Sequence, residues 1–575
     1  MYDEDVIQTT VRKFALKNAV EFNGEANVKA VMGKAIGVLK KEGFSPQEII
    51  PGVKKVVSKV NSLNLGEQKK ELEDLAPELL EKEKKEGKDK SLPDLRNAEM
   101  GSVVTRFPPE PNGYLHIGHA KASIIDSEYA RKYDGKFILR FDDTNPENAV
   151  FEFYEVQKED LRWLGIEWDE EYNTSDNIDR HYELAEKLIK QGDAYICNCP
   201  SKKIKENRYK GVGCSCRKDN SPGENLDLWR EMISSSVYDS VLRLKGDMKS
   251  DNTAMRDPTL FRVIERSHPL QGEKYRVWPT YDFAGAIEDS LSGVTHPFRT
   301  KEYELRDECY FYILDLLDLR KPNLMEFARL SINGMPVSKR KIRPLIEENL
   351  VSGYDDVRLP TLRGLKRRGI VPEGIKNFVF SQGISKSESV VDFSILESEN
   401  RKVIDNVAKR FFFVADPVKL KVENAPKREV KLSCHPSNED LGFREVKTDD
   451  VFFIQRSDLK RLEVGDVFRL KDLYNVEIKD VKDNVVSGLF SGDKLISDSA
   501  KIQWTTEDYI EMNVFVPDLL YKGKNFNPDS LQKVNGFAEK AVSNLKEGEI
   551  IQFERFGFVR IERSVEDIVG FFAHK

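Results

Sequence analysis

Residues 105–122 read TRFPPEPNGYLHIGHAKA. The string opens as a strand, turns through prolines and a glycine, and then offers two histidines, His116 and His119, where an Ala/Ile-rich helix begins. The free N–H groups and the positive end of such a helix make an anion site, glycines let the backbone approach the ligand, and residues three apart share one helix face. Both imidazoles can therefore add donors to that site, with a purely structural role as the other reading. Outward from this segment, GSVVTRF and KFILRFDD read as strands, and helices alternate with strands to about residue 325. Alternation of this kind predicts a parallel α/β sheet with ligands beyond the carboxyl ends of the strands.

The flanks differ in character. From about residue 8 to 95 the pattern is helical: Val28, Val31, Ala35, Val38 and Leu39 recur at the spacing of one helix face, as do Ile49, Ile50, Val53, Val56, Val57 and Val60. The stretch ELLEKEKKEGKDKSLPDL then reads as a solvated helix end and spacer. Residues 195–270, with the helix ENLDLWREMI, interrupt the alternation and read as an insertion. Beyond residue 409 short alternating strands such as VKLKV, VFFIQ and FGFVRIER predict antiparallel barrels. There LEVGDVFRL (462–470) and LKEGEIIQF (545–553) echo each other, which either a pair of related barrels or chance similarity of two turns would explain.

At 575 residues the chain is too long for one core, so several domains are expected. No apolar run approaches the roughly 18 residues of a membrane span, and the acidic start MYDEDVIQTT is unlike a secretion signal, so a cytoplasmic protein is expected. A net charge of −7 means that any RNA-binding surface must be local. Two clusters qualify: Lys339, Arg340, Lys341 and Arg343, then Arg363, Lys366, Arg367 and Arg368, which read equally as phosphate contacts or as solvated helix faces. Four of the six cysteines form two knuckles, Cys197/Cys199 and Cys214/Cys216, a spacing that favours a tetrahedral zinc site over free thiols. Cys309 and Cys434 stand alone and read as buried small hydrophobes.

The string His116-Ile117-Gly118-His119 matches the HIGH signature of class I aminoacyl-tRNA synthetases, and RFPPEPNGYL before it resembles the glutamyl/glutaminyl subgroup. GMPVSKRK at 334–341 is similar to the second signature, KMSKS, in its SKR form, with Pro336 where the family has its first lysine. RFDDTNPEN (140–148) and YDFAGAIEDSLSGVTHPFRTKEY (281–303) look like the subgroup's amino-acid pocket. The likeness is closest to archaeal and eukaryotic-type glutamyl-tRNA synthetases from about residue 96 onward.

That resemblance implies ATP as a substrate with Mg2+, tRNA for glutamate as partner with the glutamine tRNA left open as a second, a structural zinc, and a monomer. It implies a catalytic set of His116, Gly118, His119 and Lys339. ATP would be held by Pro109, Glu110, His116, Gly118, His119, Ser338, Lys339 and Lys341. Glutamate would be held by Arg106 and Arg299 on its side-chain carboxylate, Asp142 on its ammonium, and Tyr281; a zinc by Cys197, Cys199, Cys214 and Cys216. Glutaminyl enzymes carry a neutral cysteine at the position of Arg299, so this arginine turns the reading toward glutamate; a glutaminyl enzyme or a non-catalytic tRNA-binding protein are the alternatives. The implied fold is multidomain α/β plus all-β. It comprises a helical appended domain and linker (1–95), a Rossmann-type core in two halves (96–194 and 271–325) around an acceptor-binding insertion (195–270), a signature loop with a helical stem-contact region (326–408), and two anticodon-binding β-barrels (409–575).

Overall fold

The computed structural model describes residues 2–21, 24–39, 44–76, 92–234, 240–482, 485–496, 499–564 and 567–575. The chain divides into two compact units, Met1–Ser91 and Leu92–Lys575. The spacer anticipated at 78–95 falls almost wholly outside the described residues. Its end belongs to the second unit, because Leu95 is buried in that unit's core and Pro93 O accepts a hydrogen bond from Tyr129 Oη.

The first unit is helical, with helices at Tyr2–Glu21, Val28–Leu39, Pro46–Asn61 and Leu65–Leu75. Its core joins Val11, Ala15, Val31, Val53, Val57 and Leu72. The apolar periodicity holds except at Val38 and Ile50, which are exposed. The last helix starts at a capping box: Asn64 Oδ1 accepts from Glu67 N at 3.0 Å, and Glu67 Oε2 accepts from Asn64 N at 2.9 Å.

The second unit is built on parallel strands, as the alternation requires. Val104–Phe107, Lys136–Phe141 and Glu170–Asn173 form one parallel sheet in chain order. The parallel pair Phe298–Thr300 and Met325–Phe327 continues the wall, since Thr295 N and His296 N donate to Val104 O at 2.9 and 3.1 Å. Helix Ile117–Lys132 covers the sheet through Ile124, Ile125 and Tyr129. No helix of the described residues is long and apolar enough to cross a membrane.

The insertion is a four-stranded antiparallel sheet, Ala194–Cys197, Val241–Leu244, Thr259–Val263 and Val277–Pro279. Its last strand lies beyond residue 270, so the insertion ends later than its composition suggests. Helix Pro222–Ser234 packs Trp229 and Met232 into the same core.

After helices at Lys339–Glu347, Leu362–Arg368, Pro372–Gln382 and Phe393–Ile404, the chain enters two barrel-like sheets of six and seven strands. The echoed segments occupy equivalent corners of the two. Gly465 and Gly548 are both left-handed, at φ 97° and 83°. Gly465 N donates to Ile478 O and Gly548 N to Ile561 O, each at 2.8 Å, while Ile478 N and Ile561 N return bonds to Asp466 O and Glu549 O. A Leu-x-x-Gly-acid corner thus starts a hairpin in each sheet, a geometry that chance likeness of two turns does not demand.

Candidate active site

The first signature is a reciprocal helix cap. His116 is the N-cap of Ile117–Lys132: its Nδ1 accepts from Gly118 N at 3.1 Å, while His119 Nδ1 accepts from His116 N at 3.2 Å. The two rings stack at 3.8 Å. With both Nδ1 atoms accepting, the proton of each neutral ring sits on Nε2, which leaves Nε2–H as the donor each ring can offer a ligand. Burial, followed by the nearby Arg329 cation, lowers His119 to about 4; burial and the neighbouring His119 lower His116 well below its ordinary value. Both rings are therefore neutral donors at neutral pH. Gly118 is required by this packing, because a Cβ there would lie 2.9 Å from His116 Cε1.

The segment before the histidines is stapled across the chain. Ile117 N donates to Pro360 O and Leu362 N to Leu115 O, both at 2.9 Å. Gln157 Nε2 gathers Glu110 O and Gly113 O at 3.0 and 2.8 Å. Pro109 contributes its carbonyl, which accepts from Asp142 N at 3.0 Å, and so fixes the start of the RFDD segment.

The second signature closes on the first. Ser338 stands at the N-cap position of helix Lys339–Glu347 without a side-chain capping bond, and Lys339 Nζ hydrogen-bonds Asn112 O of the proline turn, with its methylenes lying over Gly113. Burial lowers the Lys339 ammonium from its ordinary value against the pull of Glu110. Glu110, Asn112, His116, His119, Arg329, Ser338, Lys339 and Lys341 line one cavity of about 1190 Å³. Arg329, absent from the sequence-derived set, pairs with Glu302 at 2.9 Å; it lies outside both signature strings, which is why spacing gave no sign of it.

A second group of the expected site residues forms a buried charge network. Arg106 donates to Asp289 through Nε and NH2 at 2.9 and 3.1 Å, and through NH1 to Phe298 O at 2.7 Å. Arg140 reaches the same Asp289 at 2.7 Å and Asp142 at 2.8 Å. Thr174 and Tyr310 close the set with hydroxyl bonds to Asp142 and Asp289, both at 3.0 Å. Burial alone would raise the Asp289 carboxyl, but Arg106 and Arg140 on either side hold it below the usual carboxylate range. Arg106, expected to hold a side-chain carboxylate, thus spends three of its five N–H donors within the protein, on Asp289 and Phe298 O.

Arg299 stands differently. Its side chain is 5% exposed, it forms an ion pair with Asp307, lies 5.2 Å over the Tyr310 ring, and keeps an Nε without a hydrogen-bond partner among the described residues. Tyr281 starts helix Tyr281–Leu291 against Tyr303, with Arg106, Arg299 and Asp142 close enough to influence its phenol, which burial pushes up to about 12. Arg106, Asp142, Tyr281 and Arg299 are thus brought together, with Arg140 and Asp289 as the members that sequence reasoning missed. Arg140 was visible in RFDD, but nothing local marks Asp289 as its partner.

The four clustered cysteines converge. Their Sγ atoms lie within 4.8 Å of one another, with Cys197–Cys214 at 3.8 Å and Cys199–Cys216 at 3.9 Å. Zn–S bonds of about 2.3 Å in a regular tetrahedron give S–S edges of about 3.8 Å, so the donor set fits zinc. The Arg243 guanidinium, 3.9 Å from Cys197 and Cys214, offsets thiolate charge. Cys309 and Cys434 are buried apart from the cluster.

The second basic cluster is largely occupied within the protein. Arg363 pairs with Glu159 and Asp160, Arg367 with Glu562 and Asp355, and the buried Arg368 with Glu397 and Ala573 O. Arg367 and Arg368 fasten helix Leu362–Arg368 to the sequence-distant final strands, and Arg363 fastens it to helix Phe151–Trp163.

Together, the second unit joins a parallel-strand core, two signature loops that meet over one cavity, and two barrel-like sheets. The profile "tRNA synthetases class I (E and Q), catalytic domain" matches residues 102–406, and the corresponding anti-codon binding domain profiles match residues 408–491 and 501–562. A glutamate–tRNA ligase of Nitrosopumilus maritimus is 44% identical over 574 residues, covering 100% of both chains. One of Pyrococcus furiosus is 42% identical, covering 99% of this chain and 100% of its own. A crystal structure of a glutamate tRNA ligase from Elizabethkingia meningosepticum in complex with its amino acid overlaps at a TM-score of 0.39 and 19% identity, over 53% of this chain and 70% of that one. The chain belongs to the class I tRNA synthetases of the E and Q group.

Proposed function

We propose that this protein is a glutamate–tRNA ligase in which Arg299 selects the acid over the amide. The full-length relatives named for that activity support the reaction. The observation that carries the selection is a buried guanidinium with a free Nε beside the Asp289 network. An oxygen of glutamate's α-carboxylate attacks the α-phosphorus of ATP, the bond to the oxygen bridging to the β-phosphate breaks, and pyrophosphate leaves. The 3′-terminal ribose hydroxyl of tRNA then attacks the glutamyl carbonyl and AMP departs.

His116 and His119 donate from neutral Nε2–H groups to charge growing on the α-phosphate, and Lys339, with Lys341 and Ser338, faces the leaving pyrophosphate. Such catalysis rests on placed donors. Glu110 and the Pro109 carbonyl shape the adenosine side, and Gly118 leaves room for the His116 ring. Magnesium arriving with ATP supplies charge neutralisation on the outer phosphates. Asp142 accepts from the substrate ammonium, Tyr281 hydrogen-bonds the substrate, Arg106 steadies the floor, and Arg299 pairs with the γ-carboxylate. The barrels bind the anticodon, and the helices at 339–404 face the tRNA stem.

ATP–pyrophosphate exchange with glutamate, measured with and without tRNA, tests the reaction. Glutamate-dependent exchange and charging of glutamate tRNA are expected, and their absence in folded protein contradicts the assignment. The cysteine cluster is assigned to structural zinc. About one zinc per chain is expected under reducing, chelator-free purification, lost in a Cys197→Ser/Cys214→Ser variant; metal-free wild-type protein contradicts this.

A further inference from the structure

The turn between the two halves of the amino-acid pocket is held by a series of ion pairs. Directly after strand Phe298–Thr300, Glu302 pairs with Arg329 at 2.9 Å, Glu304 with Lys386 at 3.1 Å, Arg306 with Asp282, and Asp307 with Arg299. Lys386 has a second partner, Glu326, at 2.5 Å. Glu326 is 3% exposed in its side chain, and apart from Lys386 neither carboxylate oxygen has a hydrogen-bond partner among the described residues. A buried carboxylate held by a single ammonium that is itself 53% exposed is an unusual distribution of charge.

Its position gives it meaning. Strands Phe298–Thr300 and Met325–Phe327 pair in parallel with Arg299 opposite Glu326. Phe298, Met325 and Phe327 all face the hydrophobic core, so alternation puts Arg299 and Glu326 side by side on the other face, on strands about 4.8 Å apart. Lys386 belongs to the segment 385–391, which runs beside the chain leading to the second signature: Ala328 N donates to Ser385 O at 2.7 Å, and Ser331 and Ile332 pair with Val390 and Val391.

We propose that Lys386 is a positioning residue for substrate selection, which neutralises Glu326 and thereby keeps Arg299 available to the γ-carboxylate of glutamate. Without the ammonium, Glu326 is left buried and charged next to a guanidinium whose Nε is free. Arg299 then turns to it, and the substrate carboxylate must compete for the same cation. This inference rests on the assignment of Arg299 to the γ-carboxylate.

The experiment is steady-state charging of glutamate tRNA by the full chain as wild type, Lys386→Met, Lys386→Arg, Glu326→Gln and Lys386→Met/Glu326→Gln. The expected result is that Lys386→Met raises KM for glutamate at least tenfold while KM for ATP changes less than twofold. Lys386→Arg and Glu326→Gln stay within about twofold to threefold of wild type, and the double variant regains the wild-type KM. A merely structural lysine would move both KM values together, or leave the double variant as impaired as Lys386→Met, and either result overturns the proposal. Arg299→Cys measured in parallel separates the two ideas. If it leaves KM for glutamate unchanged, the Arg299 assignment itself fails. If it impairs glutamate while Lys386→Met does not, only the role of Lys386 fails.

Discussion

At the signature end of the crevice two neutral imidazoles face one cavity together with the cations Arg329, Lys339 and Lys341 and the Glu110 carboxylate, whereas at the other end the guanidiniums of Arg106, Arg140 and Arg299 are buried and ion-paired within the protein. The difference matches what each end would receive on the proposed function. ATP would arrive highly charged and with its own metal, into a cavity that already offers two fixed neutral donors and several cations. Glutamate is small and must be judged by a single carboxylate, which calls for cations that stay ordered and buried before it binds. The carboxylate at the centre of that order is Asp289; Arg106 is paired with it through two nitrogens, while the Nε of Arg299 has no hydrogen-bond partner among the described residues.

The severest way to break the contrast is to remove Asp289. Asp289→Asn leaves Arg106 and Arg140 buried without their shared counter-charge, and a loss of about 3–5 kcal/mol in unfolding free energy is expected. Urea denaturation measures it; a loss below about 1 kcal/mol would mean that the network is not what holds the pocket. His119→Ala probes the other end. It should leave stability of the network unaffected and reduce the exchange rate by a factor on the order of 10²–10³, or about 3–4 kcal/mol, with little change in KM for glutamate. A rise in KM with the rate preserved would show the ring binding substrate rather than stabilising the transition state.

The neutral state of the histidines sharpens the comparison further. His119 falls from an ordinary 6.5 to about 4, so the unfolded chain takes up its proton first as pH drops. Its contribution to stability is complete above about 6.5 and declines toward about 4, by on the order of 1 kcal/mol per pH unit. Unfolding at pH 7 and pH 5, compared with His119→Gln, should show a shallower slope in the variant; equal slopes contradict a depressed His119.

How much of this was legible in the sequence depended on distance along the chain. The histidine cap and the strand–turn–helix around it are local, and so is the Leu-x-x-Gly-acid corner that recurs at Gly465 and Gly548. The cysteine knuckles converge because each pair carries its own short-range spacing. What stayed hidden is non-local: the strand Val277–Pro279 that closes the insertion's sheet, the Asp289 bridge between Arg106 and Arg140, and the pairing of Arg367 with Glu562, which makes an apparent phosphate-binding cluster part of the framework. The histidines also turned out differently from donors displayed on one helix face: their Nδ1 atoms point into the backbone, and only Nε2 remains to meet a ligand.

The central claim is that Arg299 reads the charge of the substrate side chain, and it is tested most directly by aminoacylation with glutamate and glutamine on matched tRNA transcripts before and after Arg299→Cys. The ratio of kcat/KM for glutamate over glutamine should fall at least tenfold, about 1.4 kcal/mol, in a variant that remains folded, because only the acid loses a counter-charge. A ratio unchanged within error would contradict the account and leave the preference for glutamate without a residue to carry it.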